Sequence, residues 1–199
     1  LSPKDRVPPS LCGLKGALHG EWFWNFSSKL DYYGIPGLRL GLSGYFGRTQ
    51  AVDDQAGTLG STIGVSMLGF DARYRVGQFS ARSQFIQANL SDTGEYNTLT
   101  GKDLGKEISG YYLEVAYNLL PAINRQRLEG FIRYEDFDTH AATEGDLLRN
   151  PAFHRKEWTT GFSYHLAPGS VFKVDYQRKS TGILNSTYGQ FNMGVGVWF

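Results

Sequence analysis

Charged residues in this sequence recur at every second position along several stretches, and that spacing limits the chemistry open to them. Lys29 and Asp31 form one such pair, Asp71, Arg73 and Arg75 a triplet, and Glu129, Arg133 and Glu135 another set. Lys173, Asp175 and Lys179 follow the same rule, as does Glu157, while Arg39, Arg82 and Glu114 stand singly between uncharged neighbours. Alternate residues of a strand share one face, so these side chains project together from a wall. Fixed charges on a wall can select ions, or they can compensate one another in a network that keeps the surface rigid and wet. The two signs nearly cancel here, which favours the network. Asp71, Arg73, Arg75 and Arg82 form the best local basic strip, because pairing of adjacent strands would bring them onto one surface. The pore-lining candidates are Lys29, Arg39, Asp71, Arg73, Arg75, Arg82, Glu114, Arg133, Glu135, Lys173 and Asp175.

Other chemistries find less support. A hydrolase on a strand framework needs a nucleophile, a histidine and an orienting group together. Ser163 and His165 share a face, but they sit two residues apart on a single strand, and no serine motif accompanies His140 or His154. Satisfied structural histidines are the better reading, so no catalytic residue is assigned. His140, Glu144, Asp146 and His154 share one polar stretch, yet their irregular spacing is a weak metal signature. No glycine-rich phosphate cradle and no CxxC motif occurs. Cys12, the single cysteine, supports neither an intrachain disulfide nor a cysteine-rich metal site. No cofactor is implied. A net charge of +1 gives no electrostatic case for a nucleic-acid partner.

The elements that must position these residues are strands. Aromatic residues make up 15% of the 199-residue chain and glycine contributes 25 positions, a mixture that favours strands and tight turns. Period-two segments bounded by turn residues predict nine strands, at roughly 14–33, 38–47, 62–76, 78–90, 108–120, 127–138, 156–166, 170–180 and 188–199. No helix is predicted. The short connections "GIPG", Gly77, "PAINRQ" and "APG" alternate with long polar ones at 49–61, 91–106 and 139–155. Outer-membrane barrels have this asymmetry, with short periplasmic turns and long outer loops.

Each charged face has an apolar counterpart. Leu38, Leu40 and Leu42 oppose Arg39 and Ser43, Tyr111, Leu113 and Val115 oppose Glu114, and Phe172 and Val174 oppose Lys173. Mean hydropathy is −0.34 and no run is apolar enough for a membrane helix. Strands that alternate between lipid and lumen average out as polar, so neither observation argues against a membrane barrel. The chain closes on Phe191, Met193, Val195, Val197 and Phe199, apolar at every second position to the last residue. That is the form of an outer-membrane insertion signal. The expectation is an all-β, transmembrane antiparallel β-barrel of the bacterial outer membrane. With Phe199 at the periplasmic rim, counting back places residues 1–13 outside as a loop remnant. Residues 14–199 then form the C-terminal portion of one barrel domain whose other strands, odd in number, lie elsewhere.

Several stretches resemble the phosphate-selective porin O and P family: "GYYLEVAYNLLP" (110–121), "LEGFIRYEDFDTHA" (128–141), "NPAFHRKEWTTGFSYHLAPGSVFKVDYQ" (150–177), "QFNMGVGVWF" (190–199) and "PGLRLGLSGYFG" (36–47). The resemblance lies in order and spacing and is to that family's C-terminal half. It implies a water-filled pore of about 16–18 strands, a homotrimer or larger membrane complex, and small anions such as phosphate among the solutes. The expected function is therefore passive diffusion of small hydrophilic solutes across the outer-membrane lipid. The alternatives are a non-conducting structural or partner-binding barrel in a surface or secretion complex, and a barrel enzyme.

Overall fold

The computed structural model describes residues 24–53, 57–121, 126–183 and 186–198. Within them the protein is all-β, a single open sheet of nine antiparallel strands in which each strand pairs with its neighbours in sequence. The strands are β1 (Phe26–Ile35), β2 (Leu38–Asp53), β3 (Gly57–Val76), β4 (Phe79–Leu90), β5 (Glu107–Asn118), β6 (Arg127–Ala142), β7 (His154–Ala167), β8 (Ser170–Thr181) and β9 (Thr187–Val197). Pairing is unbroken from β1 to β9, while β1 and β9 each keep one edge unpaired among the described residues. Among the described residues no helix is long and apolar enough to cross a membrane.

Two tight turns show how local chemistry sets the register. Pro36–Gly37 joins β1 to β2 and Pro168–Gly169 joins β7 to β8, with Gly37 at φ +80° and Gly169 at φ +86°. Proline followed by a residue of positive φ is the composition of a type II turn. The third strand in each case closes on the turn. The Arg75 amide donates to the Gly37 carbonyl at 2.8 Å, and the Trp198 amide donates to the Gly169 carbonyl at 2.8 Å. A Cβ on Gly37 would lie 2.2 Å from the Arg75 carbonyl oxygen, so glycine is required for approach as well as for φ.

The register places large apolar side chains on one face. Leu30, Leu42, Phe70, Phe85 and Tyr111 are consecutive partners across β1 to β5, and Tyr164, Phe172 and Val195 across β7 to β9. These side chains are not covered. Leu30 is 71% exposed, Leu113 52% and Val195 75%, and the buried hydrophobic residues among those described are only Ile63, Ala88 and Phe131. Among the described residues the sheet is thus one layer with no apolar core beneath it. Backbone ladders and cross-strand pairs hold it together.

The long-connection end departs from expectation in three places. Residues 49–61 were expected as a loop, but β2 runs to Asp53 and β3 starts at Gly57, with Val52 opposite Thr58. Once a hairpin ladder has formed it propagates past the end of the apolar pattern, and Thr49, Val52 and Thr58 carry strand propensity of their own. The segment 91–106 holds a helix, α1 (Thr93–Thr100), where none was expected. Its sequence TGEYNTLT lacks an apolar stripe, so no period of 3.6 advertised it. The third loop is shortened to 143–153, because β6 runs to Ala142 and β7 begins at His154, and it contains a short 3-10 turn at Pro151–Phe153. The start of the first expected strand and Phe199 lie outside the described residues.

Candidate functional site

The face opposite the apolar side chains collects the charged residues in rows. Arg39, Arg73, Arg82, Glu114 and Arg133 are successive register partners across β2 to β6. In the adjoining row Asp31 faces Gly41, Asp71 and Gln84, and the row continues through Tyr112 to Glu135. All eleven pore-lining candidates share this face. The pairings explain how it tolerates so many charges.

Glu114, on β5, is buried and receives two arginines. Arg82 donates to it from Nε at 2.7 Å and from Nη2 at 3.0 Å, and Arg133 donates from Nε at 2.8 Å. Two charge-assisted hydrogen-bonding partners offset the cost of removing a carboxylate from water. The Arg133 guanidinium also lies over the Tyr112 ring at 5.3 Å and 3.7 Å from Glu135. Asp71 plays the corresponding part on β3, holding Arg39 in a hydrogen bond and Lys29 at 3.2 Å. Asp71 is therefore not a free member of a basic strip; Arg39 and Lys29 neutralise it. Lys173 contacts Asp175 at 3.7 Å and sits over the Phe131 ring at 4.6 Å.

Beside the Pro36–Gly37 turn these rows border a recess of about 610 Å³. Arg39, Arg73, Arg75, Arg82 and Lys173 line it, against only Glu114 and Glu129. The surplus of positive charge is real because its members differ in pairing. Among the described residues Arg73 is exposed and makes no ion pair, and Arg75 is 60% exposed with a single contact to Glu129 at 3.7 Å. Near-cancellation over the whole face thus conceals a local excess at one end. Two recess components escape sequence reasoning. Phe131 is apolar on a polar parity, and the end of β1 at Tyr33 and Ile35 forms a rim with the Pro36–Gly37 turn, which reads in sequence only as a connection. Alternation carries no signal for either.

Ser163 lines the recess, while the His165 ring lies 3.5 Å from Glu129, which also meets Arg127 at 3.4 Å. Among the described residues no hydrogen bond joins Ser163 to His165. The four residues weighed as metal ligands disperse. His140 is 2% exposed, packs on Phe153 with centroids 4.2 Å apart, and has Nε2 2.8 Å from the Asp103 carbonyl oxygen. His154 pairs with Asp136 at 2.8 Å. Glu144 caps α1, accepting from Thr93 Oγ1 at 2.9 Å and from the Gly94 amide at 3.2 Å, with Lys106 at 3.9 Å. The hydrogen bond from Thr93 and that from Gly94 hold the Glu144 carboxyl below its ordinary range. Among the described residues no group of three or more potential ligands is placed to hold a metal.

No family model matches the chain. It is 27% identical over 162 residues to an uncharacterized protein of Aquifex aeolicus (strain VF5), an alignment covering 77% of this chain and 36% of the relative. The chain spans just over a third of the length of that protein.

Proposed function

We propose that the nine strands form part of the wall of an outer-membrane porin-like barrel that passes small hydrophilic solutes, with a mild preference for anions such as phosphate. The carrying observation is the segregation of the two faces. One bears a hydrated, ion-paired charge lattice, and the other bears large side chains such as Leu113, Phe162 and Val195 that are about half exposed or more. A contiguous apolar surface of this extent is unsuited to water and suited to the lipid-facing band of a barrel. The edges of β1 and β9 that stay unpaired among the described residues, with a relative of which the match covers only 36%, support a wall completed by further strands, and assembly as a homotrimer or larger complex is part of the same proposal. The basic recess supports anion preference, since Arg73 and Arg75 leave charge uncompensated where a solute would pass.

The test is reconstitution of the full-length parent protein in a planar bilayer. Ohmic conductance is expected, with a reversal potential in a KCl gradient of the sign for modest anion preference. A barrel that inserts and stays closed would sink the transport reading in favour of a structural or partner-binding role.

A further inference from the structure

We infer that the outward face of β6 to β8, at the end bearing the long connections, is a binding site for the phosphate of a phosphorylated saccharide lipid in the outer leaflet. This inference rests on the membrane reading above. The outward parity is apolar along most of its length, but at this end its character changes. Trp158 on β7 is the register partner of Arg178 on β8, and the next pair outward is Lys156 with Ser180. Arg178 is exposed and, among the described residues, its side chain makes no ion pair or hydrogen bond. Lys156 has a side chain 51% exposed and, among the described residues, reaches only Asp136, at 3.8 Å. That carboxylate is already engaged, by His154 at 2.8 Å and by the Tyr134 hydroxyl, which donates at 3.2 Å.

Two cations are thus presented to the lipid boundary, Arg178 without an ion pair among the described residues and Lys156 sharing Asp136 with His154. Diagonal neighbours on paired antiparallel strands lie about 7–8 Å apart, a span that two long side chains close around a single phosphate. A lone arginine facing hydrocarbon is unfavourable unless its head reaches the headgroup level and finds an anion. The aromatic surface beside it suits a sugar ring. Tyr134 packs on Trp158 with centroids 4.7 Å apart, giving a broad apolar platform next to the cations. Phosphate between Lys156 and Arg178, with its saccharide on Trp158, engages both cations and the aromatic platform.

The experiment is a titration of detergent-solubilised full-length protein with bisphosphorylated lipid A, and separately with phosphatidylglycerol, read by native mass spectrometry. Bound lipid A is expected to survive collisional activation that strips phosphatidylglycerol. The double variant Lys156→Gln with Arg178→Gln is expected to weaken lipid A binding at least tenfold. Arg155→Gln is the control, because Arg155 lies at the same level on the opposite face, and it should leave binding unchanged. Equal retention of the two lipids, or equal loss in the control, would overturn the assignment. Insertion into phosphatidylcholine vesicles, followed by conductance, is measured in parallel. Protein that inserts and conducts but shows no lipid A preference refutes this site alone, whereas protein that never inserts refutes the membrane reading and the site with it.

Discussion

Arg73 and Arg133 occupy the same register row, on the same face, three strands apart, yet they live in different electrostatic worlds. Arg133 donates to Glu114, contacts Glu135 and lies over Tyr112, so its charge is spent on neighbours. Arg73 borders the recess without an ion pair among the described residues. The difference comes from the partner strand. β5 offers Glu114 between Arg82 and Arg133, while β4 offers Arg73 another arginine, Arg82, as its direct partner. Residue type alone therefore does not separate a structural arginine from one free to act on a solute; the opposite residue in the register does.

Several substitutions can break or sharpen this contrast. The largest effect is expected on the paired side. Glu114→Ala leaves Arg82 without its ion-pair partner and Arg133 with Glu135 alone, and loss of one member of a buried ionic cluster costs about 3–5 kcal/mol. Urea titration of the protein refolded into bilayers measures it, and a cost below about 1 kcal/mol would show that solvent already compensates the arginines. Next comes the opposite face of the same strand. Leu113→Arg, and likewise Val195→Arg, should each destabilise by roughly 2–4 kcal/mol if they lie at the bilayer midplane; no change at either position is incompatible with the proposed lipid face.

The direct comparison follows. Arg133→Gln should cost about 1.5–3 kcal/mol through its charged hydrogen bonds, whereas Arg73→Gln should stay within about 0.5 kcal/mol. For ion selectivity the order should reverse. Neutralising Arg73, Arg75 and Arg82 together is expected to move the KCl reversal potential towards cation preference, with Arg133→Gln moving it less. An identical shift from both would remove the recess from the selectivity account.

The smallest effect concerns the cap on α1. Because the folded Glu144 carboxyl titrates below its ordinary value, its contribution is complete above the unfolded carboxylate range and is lost as pH falls through the depressed folded value. Hydrogen exchange of residues 93–106 should accelerate on acidification, and Glu144→Gln should flatten that dependence. Exchange that is independent of pH once intrinsic rates are corrected would deny the cap any role.

Much of this architecture was legible because one rule, alternation, governs both faces. Leu113 and Glu114 announce opposite environments by being adjacent, and the same logic located all nine strands. Alternation is silent where the chain leaves that rule. The helix at 93–100 is held by Glu144, some fifty residues away, and a tertiary contact leaves no local period. The extended β2–β3 hairpin is held by its ladder, which reads backbone and not side chain. The recess was half visible: Arg73, Arg75 and Arg82 stood out as a strip, but the neutralisation of Asp71 by Arg39 and Lys29 depends on register across three strands.

The turns at Gly37 and Gly169 bear on how such a sheet avoids assembling wrongly. Each carbonyl catches the amide of the strand beyond its own hairpin, so a turn and the next strand's end are locked as one unit. A slip of one residue turns every side chain to the other face. Here a slip of β3 would thrust Asp71, Arg73 and Arg75 outward, at about 2–4 kcal/mol for each arginine that reached the midplane. In a bilayer the lipid would thus act as proofreader, rejecting misaligned strands before they could be sealed, with the two glycine turns as the index marks from which alignment is counted.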